Sequence, residues 1–248
     1  MDNTIDHAPL HHDGGSGIGV VVCHGFTGSP HSMRPWARHL AEQGWSVRLP
    51  LLPGHGTSWR DANRTTWQDW YTEVEHAVTD LRKHCTSVYA VGLSMGGTLA
   101  LRLAQQHPDL AGIVLVNPAV TMLRWDAKLL PVLGMLVPSV PAIGNDIAKP
   151  GVDEGAYPRT PVRAAASLRR FQAVVRADLP KVAQPVLLYH SANDHVVEPV
   201  NSEIVLKGIT SADVQEVVLQ DSYHVATLDH DAPRIFDGSV AFIQRLSS

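Results

Sequence analysis

Short runs rich in β-branched residues alternate along this chain with stretches whose apolar positions recur at the helical period. The runs predict strands at Gly19 to Cys23, Ser46 to Leu49, Val88 to Leu93, Gly112 to Val116, Val186 to Tyr189 and Val214 to Leu219. The clearest helix starts near Thr66 and places Trp67, Trp70, Tyr71, Val74, Ala77, Val78 and Leu81 on one face, a pattern that reads as core packing. Others are predicted from Ser94 to about His107, where Pro108 stops the helix, from Pro199 to about Ile209, and from Ala232 to Leu246. Strands alternating with helices predict a mainly parallel sheet with helices on both faces, the α/β class.

The stretch from Ala119 to Pro180 breaks this rhythm. It offers no convincing strand, holds many prolines, and includes the apolar run Leu129 to Val137, with a second helix expected over Val162 to Ala177. An insertion there lies above the carboxyl ends of the strands, where open α/β sheets bind ligands. It is read as a small helical cap, with a set of core helices as the alternative. The expected division is a single domain over 1–248, with its core at about 18–118 and 181–248 and the cap at about 119–180. The first eighteen residues, with His7, His11 and His12, read as a weakly ordered arm, and metal binding by those histidines is the minor alternative.

Composition narrows the class. A formal charge of -4 without a Lys/Arg run argues against a nucleic-acid partner. Two cysteines, Cys23 and Cys85, form neither a disulfide framework nor a zinc site, and no metal or cofactor is expected. No signal-peptide pattern or membrane-length apolar run is visible, so cytoplasmic residence is the default expectation.

Gly92-Leu93-Ser94-Met95-Gly96 carries the candidate chemistry, because it puts a serine between two glycines where a strand turns into a helix. Glycine at both flanks lets so sharp a turn form, and the turn presents the hydroxyl at the carboxyl end of the sheet and the amino end of a helix. A serine hydroxyl is a poor nucleophile at neutral pH and needs a base with an orienting acid. Of fourteen histidines, His224 follows the last strand after a short loop; His230 is the weaker alternative, and His84 and His107 sit at helix ends. Asp194, a few residues past the strand ending at Tyr189, is the candidate acid, although it could serve only to close a turn. Asn117 ends another strand, where an amide cannot stabilise an imidazolium, and His190 and His195 are expected to pack or tune the loop. For the developing oxyanion, one donor is the Met95 N–H. The loop His24-Gly25-Phe26-Thr27-Gly28-Ser29-Pro30 points to the Phe26 N–H as the second. A dinucleotide fingerprint is the remote alternative for that loop, since Gly-x-Gly-x-x-Gly is absent.

With these residues in place the chain resembles the α/β-hydrolase superfamily, and within it the bacterial monoacylglycerol lipases and small carboxylesterases. The resemblance rests on His24 to Pro35, Pro53-Gly54-His55-Gly56-Thr57, Gly92 to Leu99, Asp194-His195-Val196-Val197 and Ser222 to Asp229. It implies Ser94, Asp194 and His224 as a triad, the Phe26 and Met95 amides as oxyanion hole, and cleavage of a medium- or long-chain monoacylglycerol through an acyl-enzyme. General carboxylesterase or acyl thioesterase activity on the same triad stays open, as does carbon–carbon bond hydrolysis. A receptor that keeps the fold for binding alone is the reading from another class. The resemblance further matches Ile143-Gly144-Asn145-Asp146 and Asp153 to Tyr157 to a substrate-binding cap segment. It implies that Ile143 touches substrate and Glu154 accepts from the free glycerol hydroxyls, with a solvated surface acid as the alternative for Glu154. Trp125 to Val137 is bulkier and more apolar than the family pattern. Leu129, Leu130, Leu133, Leu136 and Val137 are expected to line an acyl tunnel or touch a lipid surface transiently.

Overall fold

The computed structural model describes residues 5–122, 137–142 and 144–247. Its main sheet is built from β1 (Leu10–His12), β2 (Ile18–Cys23), β3 (Ser46–Leu49), β4 (Ser87–Leu93), β5 (Gly112–Val116), β8 (Val186–Ser191) and β9 (Val214–Leu219). The spatial order is β1-β3-β2-β4-β5-β8-β9, parallel throughout except for β1, which runs antiparallel to β3. Three predicted strands match their observed bounds, and the other three extend by one or two residues.

Alternation along the strands divides the core into two layers. Val20, Val22, Tyr89, Val91, Val114 and Val116 face α1 (Pro30–Ala41) and the C-terminal helix (Ala232–Ser247). Val21, Val88, Ala90, Ile113 and Leu115 face α3 (Trp67–Leu81) and α4 (Met95–Gln106). Of the face predicted for α3, Trp70, Val74, Ala77, Val78 and Leu81 are buried, while Trp67 and Tyr71 pack at the edge of the core. The Asp69 carboxylate fixes the start of α3 by accepting from the backbone N–H and hydroxyl of Thr66, at 2.8 and 2.9 Å.

The arm reading of the first eighteen residues is corrected. Leu10–His12 joins the sheet edge, held by Arg48, whose buried guanidinium donates to the His12 carbonyl at 2.9 Å and pairs with Asp13 and Asp80 at 2.6 and 2.8 Å. Further out, Arg34 binds Asp6 and the Ala8 carbonyl, and His7 Nδ1 lies 2.8 Å from Ser29 Oγ. Charge pairing between distant residues, invisible to local periodicity, orders this segment.

The stretch expected to lack strands carries two short ones. β6 (Ser139–Pro141) and β7 (Arg159–Pro161) pair antiparallel in a sheet of their own, each only three residues long and ending in proline, too short for alternation to show. The helix over Val162–Ala177 has its predicted bounds and is α5 here, α2 being the short turn Trp59–Ala62. Ala164, Leu168, Phe171 and Val175 of α5 join the core layer of α3 and α4, and the Phe171 ring stacks on Trp67 at 4.9 Å. The expected roles of Leu129, Leu130, Leu133 and Leu136 concern positions outside the described residues, while Val137 is exposed. Among the described residues no helix is long and apolar enough to cross a membrane. Among the described residues the remaining α-helices are α6 (Val200–Gly208) and α7, the C-terminal helix.

Candidate active site

Ser94 stands between β4 and α4 with φ 58° and ψ -118°. A non-glycine residue at positive φ costs about 1–3 kcal/mol and persists only where its surroundings enforce it. Here they do: the Ser94 N–H donates to the Val116 carbonyl at 2.9 Å, and its own carbonyl accepts from Ala119 at 3.2 Å. The flanking glycines answer a steric demand. A Cβ on Gly92 would lie 2.2 Å from the Gly96 oxygen, and one on Gly96 would lie 1.9 Å from the Cys23 oxygen.

Two loops at the same end of the sheet bring up the other polar groups. Past β8 the chain turns at Asp194, whose Oδ1 accepts from the backbone N–H groups of Val196 and Val197 at 2.8 and 2.7 Å. Its Oδ2 lies 2.7 Å from His224 Nδ1, so the residue both closes a turn and orients a histidine. Both side chains are nearly shut off from solvent. Burial pushes the Asp194 carboxyl upward, but the His224 hydrogen bond and charge, with the two backbone donors, hold it below the usual range. Burial likewise pushes the His224 imidazole down; the Asp194 bond and charge, joined by Glu154 and Asp146, outweigh it and leave the imidazole above its ordinary value. With Nδ1 engaged by Asp194, Nε2 is the ring nitrogen left for a serine proton. Ser94 and His224 line one cavity of about 440 Å³. His230, the alternative base, is exposed.

The loop after β2 borders the same cavity through Gly25, Phe26, Thr27 and Gly28. A Cβ on Gly25 would lie 3.6 Å from the Ser94 Cβ, so this loop passes directly beside the serine. Buried His24 anchors it: Nδ1 faces the Gly25 carbonyl at 2.9 Å and Nε2 accepts from Leu52 N–H at 3.2 Å, a pattern only the neutral ring satisfies. Burial lowers its pKa to about 3. His55, lowered by burial to about 4, packs edge-on against His24 and Trp70 and supports the Phe26 ring. Met95, as the first residue of α4, has an N–H with no intrahelical acceptor, and it lies beside the serine.

Above the serine, Leu168, Met122 and Val197 give the cavity an apolar wall, and Glu154 supplies a carboxylate. Glu154 is half-buried; its Oε1 accepts from the Asn145 N–H at 2.6 Å, while its own N–H donates to Asn145 Oδ1 at 2.9 Å. Burial raises its carboxyl, opposed by the Asn145 N–H and the His224 charge. Ile143, the other expected substrate contact, lies outside the described residues.

Sequence reading missed three supporting residues. Asn117, with φ 45°, donates through Nδ2 to the His224 carbonyl at 2.8 Å and to Ser191 Oγ at 3.0 Å, while its Oδ1 accepts from Ser191 N–H at 2.7 Å. Buried Asp229 accepts from Tyr223, Ala148, Lys149 and His230 amides within 2.9 Å. Asp146 accepts from the backbone N–H groups of His195 and His224, both at 3.1 Å, and its other oxygen lies 2.8 Å from His195 Nδ1. Asn117 had a signal, an amide at a strand end beside the site; the two carboxylates had none, because Asp146 meets His195 and His224, and Asp229 meets Ala148 and Lys149, across 49 to 81 residues.

Residues 18–231 match the family model Hydrolase_4, described as serine aminopeptidase, S33. The chain is 44% identical over 228 residues to a thermostable monoacylglycerol lipase of Bacillus sp. (strain H-257), covering 92% of this chain and 91% of that one. It is 25% identical over 228 residues to a carboxylesterase of Bacillus subtilis (strain 168), covering 92% of each. Among solved structures, one reported for the metagenome-derived lipolytic enzymes LipS and LipT superposes with a TM-score of 0.94 at 42% identity, covering 96% of this chain and 98% of that one. The Paleococcus ferrophilus monoacylglycerol lipase superposes at 0.81 with 17% identity, covering 96% and 98%, a likeness of fold alone. With these matches spanning the sheet, the turn at Ser94 and both polar loops, the chain belongs to the Hydrolase_4 family of serine hydrolases and has the α/β-hydrolase fold.

Proposed function

We propose that this protein hydrolyses the ester bond of medium- to long-chain monoacylglycerols, with Ser94 as nucleophile, His224 as base and Asp194 as the acid that orients it. The observation that carries this reading is the 2.7 Å contact between Asp194 Oδ2 and His224 Nδ1 at the wall of the cavity that also holds Ser94. Ser94 Oγ attacks the acyl carbonyl as Nε2 of His224 takes its proton, and the Phe26 and Met95 amides donate to the oxyanion. Each such donor is typically worth about 3 kcal/mol in the transition state. The imidazolium then protonates the leaving glycerol oxygen, and water repeats the sequence to release the fatty acid.

Support for the glycerol ester comes from the 44% identical monoacylglycerol lipase and from Glu154. In this reading Glu154 accepts hydrogen bonds from the free glycerol hydroxyls, residues at about 119–180 act as a cap, and the apolar run Leu129 to Val137 meets the acyl chain or a lipid surface. An ester without the hydroxyls leaves a half-buried acceptor unpaired, which favours the glycerol ester. A second reading, a general carboxylesterase or acyl thioesterase on the same triad, draws on the Bacillus subtilis carboxylesterase match.

Turnover of monoacylglycerols, simple alkyl esters and acyl thioesters by wild type and Glu154→Gln separates them. The expected result is a preference for monoacylglycerol that Glu154→Gln reduces by about tenfold, the loss of one charge-assisted hydrogen bond. Equal turnover of alkyl ester and monoacylglycerol by the wild type favours the second reading. Charged substitutions at Leu133 and Leu136 that leave long-chain turnover unchanged rule out the role given to the apolar run.

A further inference from the structure

One dipeptide joins the candidate leaving-group acceptor to the candidate base. Asn145, at φ 55°, grips Glu154 through both its N–H and its side-chain oxygen. The next residue, Asp146, grips the other side: Oδ2 accepts from the His224 and His195 amides, Oδ1 faces the His195 ring, and its carbonyl accepts from Val225 N–H at 3.1 Å. Two and three residues on, the Ala148 and Lys149 amides donate to Asp229, which also takes the N–H of Tyr223 beside His224. The Asp146 side chain is largely buried, and the His195 ring that it holds packs edge-on against Tyr223 at 4.6 Å.

Resting on the function proposed above, we infer that Asp146 is a positioning residue, holding the His224 and Asp194 loops in register with the Glu154 segment so that the base is aligned on the same strap that binds the leaving group. The geometry is specific to this role. Asp194 fixes His224 through the ring, at Nδ1, whereas Asp146 fixes it through the main chain, at the His224 and Val225 amides. It also holds the residue directly after Asp194, so one carboxylate spans both loops of the acid–base pair. Misplacing a base by an ångström is enough to slow a reaction by about a hundredfold.

The charge of Asp146 makes this role separable from simple scaffolding. The carboxylates acting on the His224 ring are Asp194, Glu154 and Asp146, and the group that faces Asp146 from the other loop is His195. Asp146→Asn keeps the shape and one oxygen for the two amides that Oδ2 accepts from, but removes the second oxygen that faces His195 Nδ1 and one of the three charges that favour the imidazolium.

The test uses Asp146→Asn and His195→Ala, assayed on a monoacylglycerol across pH. A fluorophosphonate titrates reactive Ser94, so kcat is expressed per active site. Asp146→Asn is expected to lower kcat by ~10- to ~100-fold with KM changed far less, and to move the acid limb of the rate profile to lower pH. His195→Ala, at an exposed ring, is expected to lower kcat severalfold. A folded Asp146→Asn with wild-type kcat per site and an unmoved acid limb overturns the inference. If Asp146→Asn does not fold, wild-type kcat in His195→Ala overturns it instead. A wild type that the probe leaves unlabelled at Ser94 overturns the proposed function, and the inference falls with it.

Discussion

Gly96 rests on the end of β2 so closely that a Cβ there would stand 1.9 Å from the carbonyl oxygen of Cys23. The obstacle is backbone and cannot rotate away. Gly96→Ala must push α4 off the sheet, and Ser94, two residues earlier, moves with it. Overpacking of this kind typically costs about 1–3 kcal/mol. A lowered melting temperature together with lost turnover is expected. At Gly97 the added carbon would meet Pro118 at 3.1 Å, a tight but softer contact, so Gly97→Ala is expected to be milder on both measures. Equal behaviour of the two variants contradicts the steric account of the turn.

Asp194 carries two tasks on two oxygens, and substitution separates them. Asp194→Asn keeps an oxygen for the Val196 and Val197 amides but removes the charge that orients and stabilises protonated His224. The fold is expected to survive while kcat falls on the order of 10⁴-fold, as when a triad aspartate becomes asparagine. Asp194→Ala also strands two amides, each worth about 1–3 kcal/mol if left unpaired, and is expected to melt earlier. Asp194→Asn turnover within tenfold of wild type contradicts the assignment.

In the proposed mechanism His224 is the base and must be neutral to accept the serine proton. Burial depresses the His224 imidazole, but Asp194, Glu154 and Asp146 together raise it above 6.5. The rate of hydrolysis is therefore expected to rise with pH along a limb centred above 6.5, with one proton lost. Glu154→Gln removes one of the charges and is expected to lower that limb. A wild-type profile flat from pH 6 to 8 contradicts it.

Stability carries a different pH signature. His24 and His55 are buried with pKa values lowered to about 3 and about 4, so below 6.5 the unfolded chain takes up protons that the folded one refuses. Stability is expected to fall as pH drops from 6.5, by about 1.4 kcal/mol per pH unit for each ring. His224 has the opposite sign: its raised value stabilises the fold below 6.5, and that contribution is lost as pH rises through its folded pKa. Asp194, held low, stabilises above 3.8 and loses its contribution as pH falls through its folded pKa. Denaturant midpoints measured from pH 4.5 to 6.5 check the sum. Unchanged midpoints over that window contradict the neutral burial of His24 and His55.

What the sequence discloses follows the range of the forces involved. Val88 to Leu93 and Gly112 to Val116 declare themselves because both faces are buried and the runs are apolar throughout. Ser94 and its glycines are readable because their constraint is local and steric. Asp194 and His224 follow from their places after β8 and β9, since the parallel sheet delivers both strand ends to one rim. The N-terminal strand escapes notice because its stabilisation comes from Arg48 pairing with Asp13 and Asp80 across the fold; a lone arginine within the short strand Ser46–Leu49 is the available hint. Asp146 escapes for the same reason, its partners His195 and His224 being 49 and 78 residues away.

Ser94 is the residue on which the proposed chemistry depends, and covalent labelling reports on it most directly. Incubation with a fluorophosphonate, followed by mass spectrometry of the modified peptide and parallel turnover of wild type and Ser94→Ala, is the decisive measurement. Stoichiometric label on Ser94, none on Ser94→Ala, and a loss of monoacylglycerol hydrolysis on the order of 10⁶-fold in the variant are expected. Ester hydrolysis persisting in a folded Ser94→Ala, or label settling on another residue, contradicts the account.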